Sequence, residues 1–238
     1  MSSRHPQRVP SLLLVAAFLV GPTFAEDLAI VSNVTVGDQT TTATQFISAG
    51  KVRSASGNAE TIVDYATGRM IHIDNKKHEY FETTLEELRA QFEQVDQMLR
   101  SNPMMEKMLG GVSTVDVQRS GRNREIAGYT CEHYLLTMGR TFTFDLWVTP
   151  ELEVPAQFHD ASKMSYAMMG PVAARFEKVI DAMKEIKGLS LATTVDVSIM
   201  GMNIKTVSEA TEVRKGPLPA DAFEPPAGYK KTKSPFQK

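Results

Sequence analysis

The chain holds one cysteine, Cys131, and one tryptophan, Trp147, in 238 residues. A lone thiol cannot make an internal disulfide, so a packed core and not a covalent framework must hold the fold. Neither sign of charge predominates, with 26 Lys and Arg against 28 Asp and Glu, which argues against a nucleic-acid surface. The apolar run Leu12 to Val20 is too short to cross a bilayer as a helix. No HExxH, CxxC, phosphate loop or dinucleotide fingerprint is present, so no reaction and no cofactor is indicated, and the chain reads as non-enzymatic.

What is present begins with an export signal. Arg4 and Arg8 precede the apolar run, and Gly21-Pro22 leads to the small-residue end Thr23-Phe24-Ala25. These are the basic, apolar and cleavage zones of a secretory signal, with cleavage expected after Ala25. No cysteine lies near the cut to accept a lipid, so a product with no stable membrane anchor is expected, periplasmic in a Gram-negative bacterium or otherwise secreted. Loss of Arg4 and Arg8 leaves 24 basic residues against 28 acidic, a net of -4. The domain division is then a signal over 1–25, one domain over 26–229 and a basic tail over 230–238, which reads as solvated. Asn33-Val34-Thr35 fits a glycosylation acceptor, relevant only in a eukaryotic secretory pathway.

From Leu28 to Glu82 the pattern is a meander. Strands are predicted at 28–36, 40–48, 51–55, 59–65, 69–74 and 78–82, separated by glycine, asparagine and aspartate, which tolerate the angles that reverse a strand. Loops this short make neighbours antiparallel. The period then changes: Thr84 and Glu87 form a capping box, and Leu85, Leu88, Phe92, Val95, Met98 and Leu99 share one helical face. Glu86 and Glu87 are explained by the cap and the helix dipole rather than by acid-base chemistry. A short helix is predicted from Asn102-Pro103 to Gly110-Gly111, carrying Met104, Met105, Met108 and Leu109.

Strands resume at 112–121, 128–138 and 140–149. In the last, Phe142, Phe144, Leu146 and Val148 alternate with Thr141, Thr143, Asp145 and Trp147, giving the sheet an inner side. A helical crossing is expected from about 155 to 187, broken at Gly170-Pro171, before strands at 190–199 and 202–214. Eleven strands and two helical excursions point to a mainly β (α+β) domain: a strongly curved antiparallel sheet, or unclosed barrel, with helices over its concave face. A sandwich of two sheets is the alternative.

The apolar face offers a candidate site. Phe142, Phe144, Leu146 and Val148 would face the lid residues Phe92, Met98, Leu99, Met164 and Met168, enclosing either an ordinary filled core or a cavity for a guest. Thirteen methionines favour the cavity, because unbranched thioethers repack around guests of different length. Cys131 and His133 share a strand face, yet residues two apart sit too far apart to exchange a proton, so a buried thiol beside a satisfied imidazole is expected. His159, Met164, Met168 and Met169 with Met104, Met105 and Met108 suit Cu(I), although thioethers at helical spacing are ordinarily a buried stripe. His72 and His78 fall on opposite strand faces if the intervening turn is an even-length loop, and then cannot share a metal.

Ile126-Ala127-Gly128-Tyr129-Thr130-Cys131, followed by Leu146-Trp147-Val148-Thr149, resembles an uncharacterised bacterial exported family with an Ile-x-Gly-Tyr-x-Cys motif and a later Trp-Val strand. Thr61-Ile62-Val63 with Tyr80-Phe81-Glu82-Thr83-Thr84 and Leu88 fits its amino-terminal half, and Phe223-Glu224-Pro225-Pro226-Ala227-Gly228-Tyr229 its carboxy-terminal signature. That family is similar in turn to the LolA and LolB lipoprotein carriers. The resemblance implies an unclosed antiparallel barrel with a helical lid over a hydrophobic cavity. It also implies a lipid or hydrophobic small molecule as partner or, as in sensor relatives, an envelope protein. No binding residue is carried over, because no local motif matches the carriers' functional positions. The readings that follow are a lipid binder, an envelope sensor or interaction module, and a periplasmic Cu(I) protein.

Overall fold

The computed structural model describes residues 26–101, 114–139, 141–154, 158–159, 162–163, 173–199 and 202–235; within these, the side chains of 91, 92, 94–96, 98–100, 173–176, 199 and 202 are not described. The signal, the 102–111 helix and most of the 155–172 crossing therefore lie outside the described residues.

One twelve-stranded sheet organises the chain. Its strands are β1 (Leu28–Val36), β2 (Gln39–Ile47), β3 (Lys51–Ser56), β4 (Ala59–Asp64), β5 (Arg69–Asp74), β6 (Glu79–Thr84), β7 (Val115–Ile126), β8 (Tyr129–Met138), β9 (Phe142–Thr149), β10 (Leu189–Ile199), β11 (Met202–Lys215) and β12 (Lys230–Lys231). They lie in the order β12-β6-β5-β4-β3-β2-β1-β11-β10-β9-β8-β7, so the chain starts in mid-sheet, meanders to one edge, and returns from the other until β11 pairs with β1. All pairings are antiparallel except the short β12–β6 contact, and among the described residues nothing pairs β7 with β12. The sheet is thus an unclosed, barrel-like sheet, and the alternation in β9 gives it a buried inner face.

Two helices are described: α1 (Leu85–Ser101) and α2 (Ala173–Lys184). The predicted capping box starts α1. Thr84 Oγ1 accepts from the Glu87 amide at 3.2 Å, and Glu87 Oε2 accepts from the Thr84 amide at 3.1 Å and from the Thr83 hydroxyl at 2.9 Å. Leu85 and Leu88 then dock on an apolar cross-strand row, Leu28, Ile47, Val52, Val63 and Met70, and Leu88 is fully buried. At the far end of the sheet, Val179 and Ile186 pack on Leu136, Met138, Phe142, Phe144, Leu146 and Val148.

Three differences from the sequence reading have physical causes. Strand β7 runs on to Ile126 where Gly121 was expected to end it, because Gly121, at φ +73, lies within a register shift between Arg119 and Asn123 that the pairing tolerates as a bulge. The Ile126-Ala127-Gly128-Tyr129 segment is a two-residue hairpin turn; Ala127 and Gly128 have φ +48 and +83, as the right-handed twist of a hairpin favours. The described part of the carboxy-terminal tail, residues 230–235, docks on the sheet, and 236–238 lie outside the described residues. Phe223 and Tyr229 cover Ile62, Ile71 and Ile73 on the convex face, and Arg53 Nη1 donates to the Ala222 carbonyl at 3.0 Å. The Tyr229 ring stacks on His78 at 5.1 Å, while the Lys230 and Thr232 amides donate to the His78 and Tyr80 carbonyls. The lysines made this segment look solvated, but the aromatics between the prolines strap it down.

Candidate functional site

The concave face carries a cavity of about 380 Å³ where β1, β9, β10 and β11 meet the chain around 158–162 and 183–191. Its position follows from two bulges. Between β10 and β9 the register shifts from Ser190 to Ala192, and between β1 and β11 it shifts from Val31 to Ser32. A bulge bends its strand and sharpens the local coil. Ser190, Leu191, Ala192, Ser32 and Ala210, the residues at or beside these shifts, all line the cavity. Gly188 adds a close approach: at φ +111, a Cβ there would lie 2.1 Å from the Thr149 carbonyl oxygen, so only glycine lets this loop pass under β9.

The wall is apolar on one side and hydroxylic on the other. Ile30, Leu146, Val148, Phe158, Met183 and Ile186 supply the apolar part; Ser32, Gln45, Thr193, Thr206 and Ser208 supply amide and hydroxyl groups. No Asp, Glu, Lys or Arg is among the described lining residues. The volume lies within the roughly 300–1,000 Å³ of ordinary small-molecule sites.

The structure divides the predicted site residues. Leu146 and Val148 border the cavity, whereas Phe142 and Phe144, at 2% and 3% exposure, are buried among Leu136, Met138 and Val179 in filled core. Phe92, Met98 and Leu99 lie on α1, but their side chains, like Met164 and Met168 entirely, are outside the described residues. The walls contributed by β1, β10 and β11 were missed. Their one sequence signal is that inward positions of β10 and β11 alternate to hydroxyls, at Thr193, Thr206 and Ser208, where a filled core would carry Val or Ile.

Cys131 and His133 share a face, as expected, and do separate work. Cys131 is fully buried, its Sγ donates to the Tyr129 carbonyl at 3.6 Å, and burial pushes its pKa up to about 11. The buried His133 contacts Ser120 Oγ at 2.7 Å and Asp145 Oδ2 at 3.0 Å, with the Trp147 ring tilted against it at 4.8 Å between centroids. A serine, an imidazole and a carboxylate in a chain invite a hydrolase reading. Against it, Arg122 crowds the pair: its Nη2 lies 2.9 Å from both ring nitrogens, and its amide and Nε donate to Ser120 Oγ at 3.3 Å. The group also sits on the convex face, across the sheet from the cavity. Of the residues suited to Cu(I), His159 lines the cavity, while Met104, Met105, Met108, Met164, Met168 and Met169 lie outside the described residues. No described helix is long and apolar enough to cross a membrane.

The Ile-x-Gly-Tyr-x-Cys motif proves to be the β7–β8 hairpin tip, folded back over the sheet. Arg124 reaches across to Glu209 of β11 at 3.0 Å and lies over Trp147 at 4.5 Å, and Lys215 lies over Tyr129 at 5.7 Å.

Three solved structures show the range of likeness. PNGF-II shares 13% identity, with 88% of this chain and 31% of that chain covered and a TM-score of 0.42. The MucA/MucB complex of Pseudomonas aeruginosa shares 13% identity over 85% of this chain and 56% of that one, with a TM-score of 0.43. A putative outer membrane lipoprotein-sorting protein domain from Vibrio parahaemolyticus shares 6% identity over 84% and 89%, with a TM-score of 0.32. The chain thus spans about a third of PNGF-II and just over half of the matched chain in the MucA/MucB complex. At these identities and scores the likenesses assign no function. No curated protein sequence matches the chain. The family model that does match covers residues 30–229, from the first cavity-lining strand to the tyrosine that pins the strap, and the chain belongs to that family, the domain of unknown function DUF4412.

Proposed function

We propose that this is an exported envelope protein that binds a lipid or another long apolar molecule in the concave cavity and does no chemistry on it. The observation that carries the reading is a cavity of about 380 Å³ beside the filled core around Phe142 and Phe144, with an apolar floor at Leu146, Val148 and Ile30 and no charged side chain among its described walls. Native interiors close-pack to the density of organic crystals, so a volume of this size beside a well-filled core is a feature with a use. Release of water from the apolar walls would drive binding. Residues 26–229 form the LolA-like binding domain in this reading, and Leu12 to Val20 with its flanks is the export signal.

The test is uptake of N-phenyl-1-naphthylamine, whose fluorescence rises in apolar surroundings. Wild type should enhance it saturably, and Ala210→Trp, which places a large ring in the cavity from a position 4% exposed, should abolish the enhancement. If that variant misfolds by circular dichroism, Ser208→Phe fills the same space from a half-buried position. Enhancement that neither folded variant diminishes would refute the cavity as the binding site.

A further inference from the structure

Gln45 belongs to two features at once. It lines the cavity, and it also opens a row of side chains that crosses the concave face away from it. Gln45 pairs with Ser54 of β3, Ser54 with Thr61 of β4, Thr61 with His72 of β5, and His72 with Phe81 of β6. Directly paired residues in neighbouring strands project to the same face. The three steps from β2 to β5 cover about 14 Å at the usual strand spacing.

This row contrasts with the adjacent one. Ile47, Val52, Val63 and Met70 are apolar and buried with Leu85 and Leu88 of α1, whereas Gln45, Thr61 and His72 are only half-buried and Ser54 is exposed. The polar row therefore forms an accessible track that begins at the cavity. Its internal contacts are loose: Gln45 Nε2 donates to Ser54 Oγ at 3.3 Å, and Thr61 Oγ1 lies 3.5 Å from His72 Nδ1. An amide, two hydroxyls and an imidazole carry more donors and acceptors than two such contacts use. None of them is a carboxylate, ammonium or guanidinium. Burial holds the His72 pKa below the usual histidine range, with Asp74 opposing, so the ring is a neutral donor and acceptor at neutral pH. At the far end, the Phe81 ring lies 5.2 Å from His72.

We propose that this row is the head-group track of the ligand, and that the protein takes a neutral glycolipid. The apolar chain occupies the cavity, the sugar hydroxyls bond along Gln45, Ser54, Thr61 and His72, and the Phe81–His72 pair offers an aromatic face to a ring at the end. The assignment rests on the cavity reading and deepens it. A phosphate or carboxylate head would lie on a track with no counter-charge, where partial burial penalises it. A glycerol head would leave most of the track unused.

The experiment compares three amphiphiles with the same dodecyl chain, each below its micelle concentration, by calorimetry: dodecyl maltoside, dodecanoate and dodecyltrimethylammonium. Dodecyl maltoside should bind about tenfold or more tighter than either charged probe, the worth of one or two net hydrogen bonds. Thr61→Val and His72→Phe, which keep shape while removing hydrogen-bonding groups, should each weaken maltoside binding several-fold and leave N-phenyl-1-naphthylamine uptake unchanged. If either destabilises the fold, Ser54→Ala at an exposed position tests the same track. Equal affinity for the three probes, or variants that bind maltoside as wild type does, would overturn the head-group track while naphthylamine uptake leaves the cavity reading standing. Failure of wild type to bind any probe, naphthylamine included, would overturn both.

Discussion

Between β1 and β6 each strand pairs with the next without a break, whereas the pairs β7–β8, β9–β10 and β1–β11 each carry a register shift. The unbroken half is covered by its own chain over its apolar rows: α1 covers the inner one, beside the open Gln45–His72 row, and the 219–234 strap covers Ile62, Ile71 and Ile73 outside. The bulged half coils, folds its β7–β8 hairpin back over the sheet, and leaves a cavity at two of its three shifts. Regular pairing builds a surface that its own chain can cover; interrupted pairing leaves a hollow.

The strongest way to break the contrast is at Gly188. Placing a methyl 2.1 Å from the Thr149 carbonyl at a left-handed φ forces backbone to move, so Gly188→Ala should cost about 4 kcal/mol or more in urea unfolding and should also reduce naphthylamine uptake. In the filled half, Leu88→Ala empties a fully buried site and should cost about 2–5 kcal/mol. Met183→Ala beside the cavity removes a half-buried side chain with open space already next to it, and should cost only about 1 kcal/mol. Similar losses for the two truncations would mean that the hollow is not a packing defect of one half. Thr84→Ala deletes the cap of α1 and should cost about 1 kcal/mol, with no effect on ligand uptake.

The smallest expected effect is on pH. A hydrogen bond from Arg69 holds the Glu82 carboxyl below the usual range, with burial opposing and Lys231 adding to the depression. A group depressed in the fold contributes stability above its unfolded value, about 4.3 for glutamate, and loses it as pH falls through the lower folded value. Glu82 also ties down the strap through Lys231 at 2.9 Å. Limited proteolysis near 230 should therefore quicken in acid below the ordinary glutamate range, and Glu82→Gln should flatten that dependence. A strap equally protected at every pH in wild type would show that Phe223 and Tyr229 hold it without the ion pairs.

The same contrast explains what could be read from sequence. In β1 to β6 the turn residues mark strand ends to within two positions, and Thr84 with Glu87 marks the helix start, because hairpins and caps are local. The cavity was half legible. Alternation found Leu146 and Val148, but Phe142 and Phe144 follow the same period, and a period says which face is inside without saying whether that face is filled. The deciding bulges at Leu191 and between Val31 and Ser32 leave no local mark, since each exists only through its partner strand. The row from Gln45 to His72 is spread over four strands and emerges only once their register is known. The tail over 230–238 misled because its lysine side chains are solvated while the Lys230 and Thr232 amides bond to His78 and Tyr80, partners that only the folded register supplies.

Native mass spectrometry of the protein isolated from its own envelope without detergent tests the central claim most directly. The account predicts a co-purifying lipid mass on the wild type that Ala210→Trp, folded, no longer carries. A bare polypeptide mass for the wild type across repeated preparations, identical in ligand content to the filled variant, would contradict it.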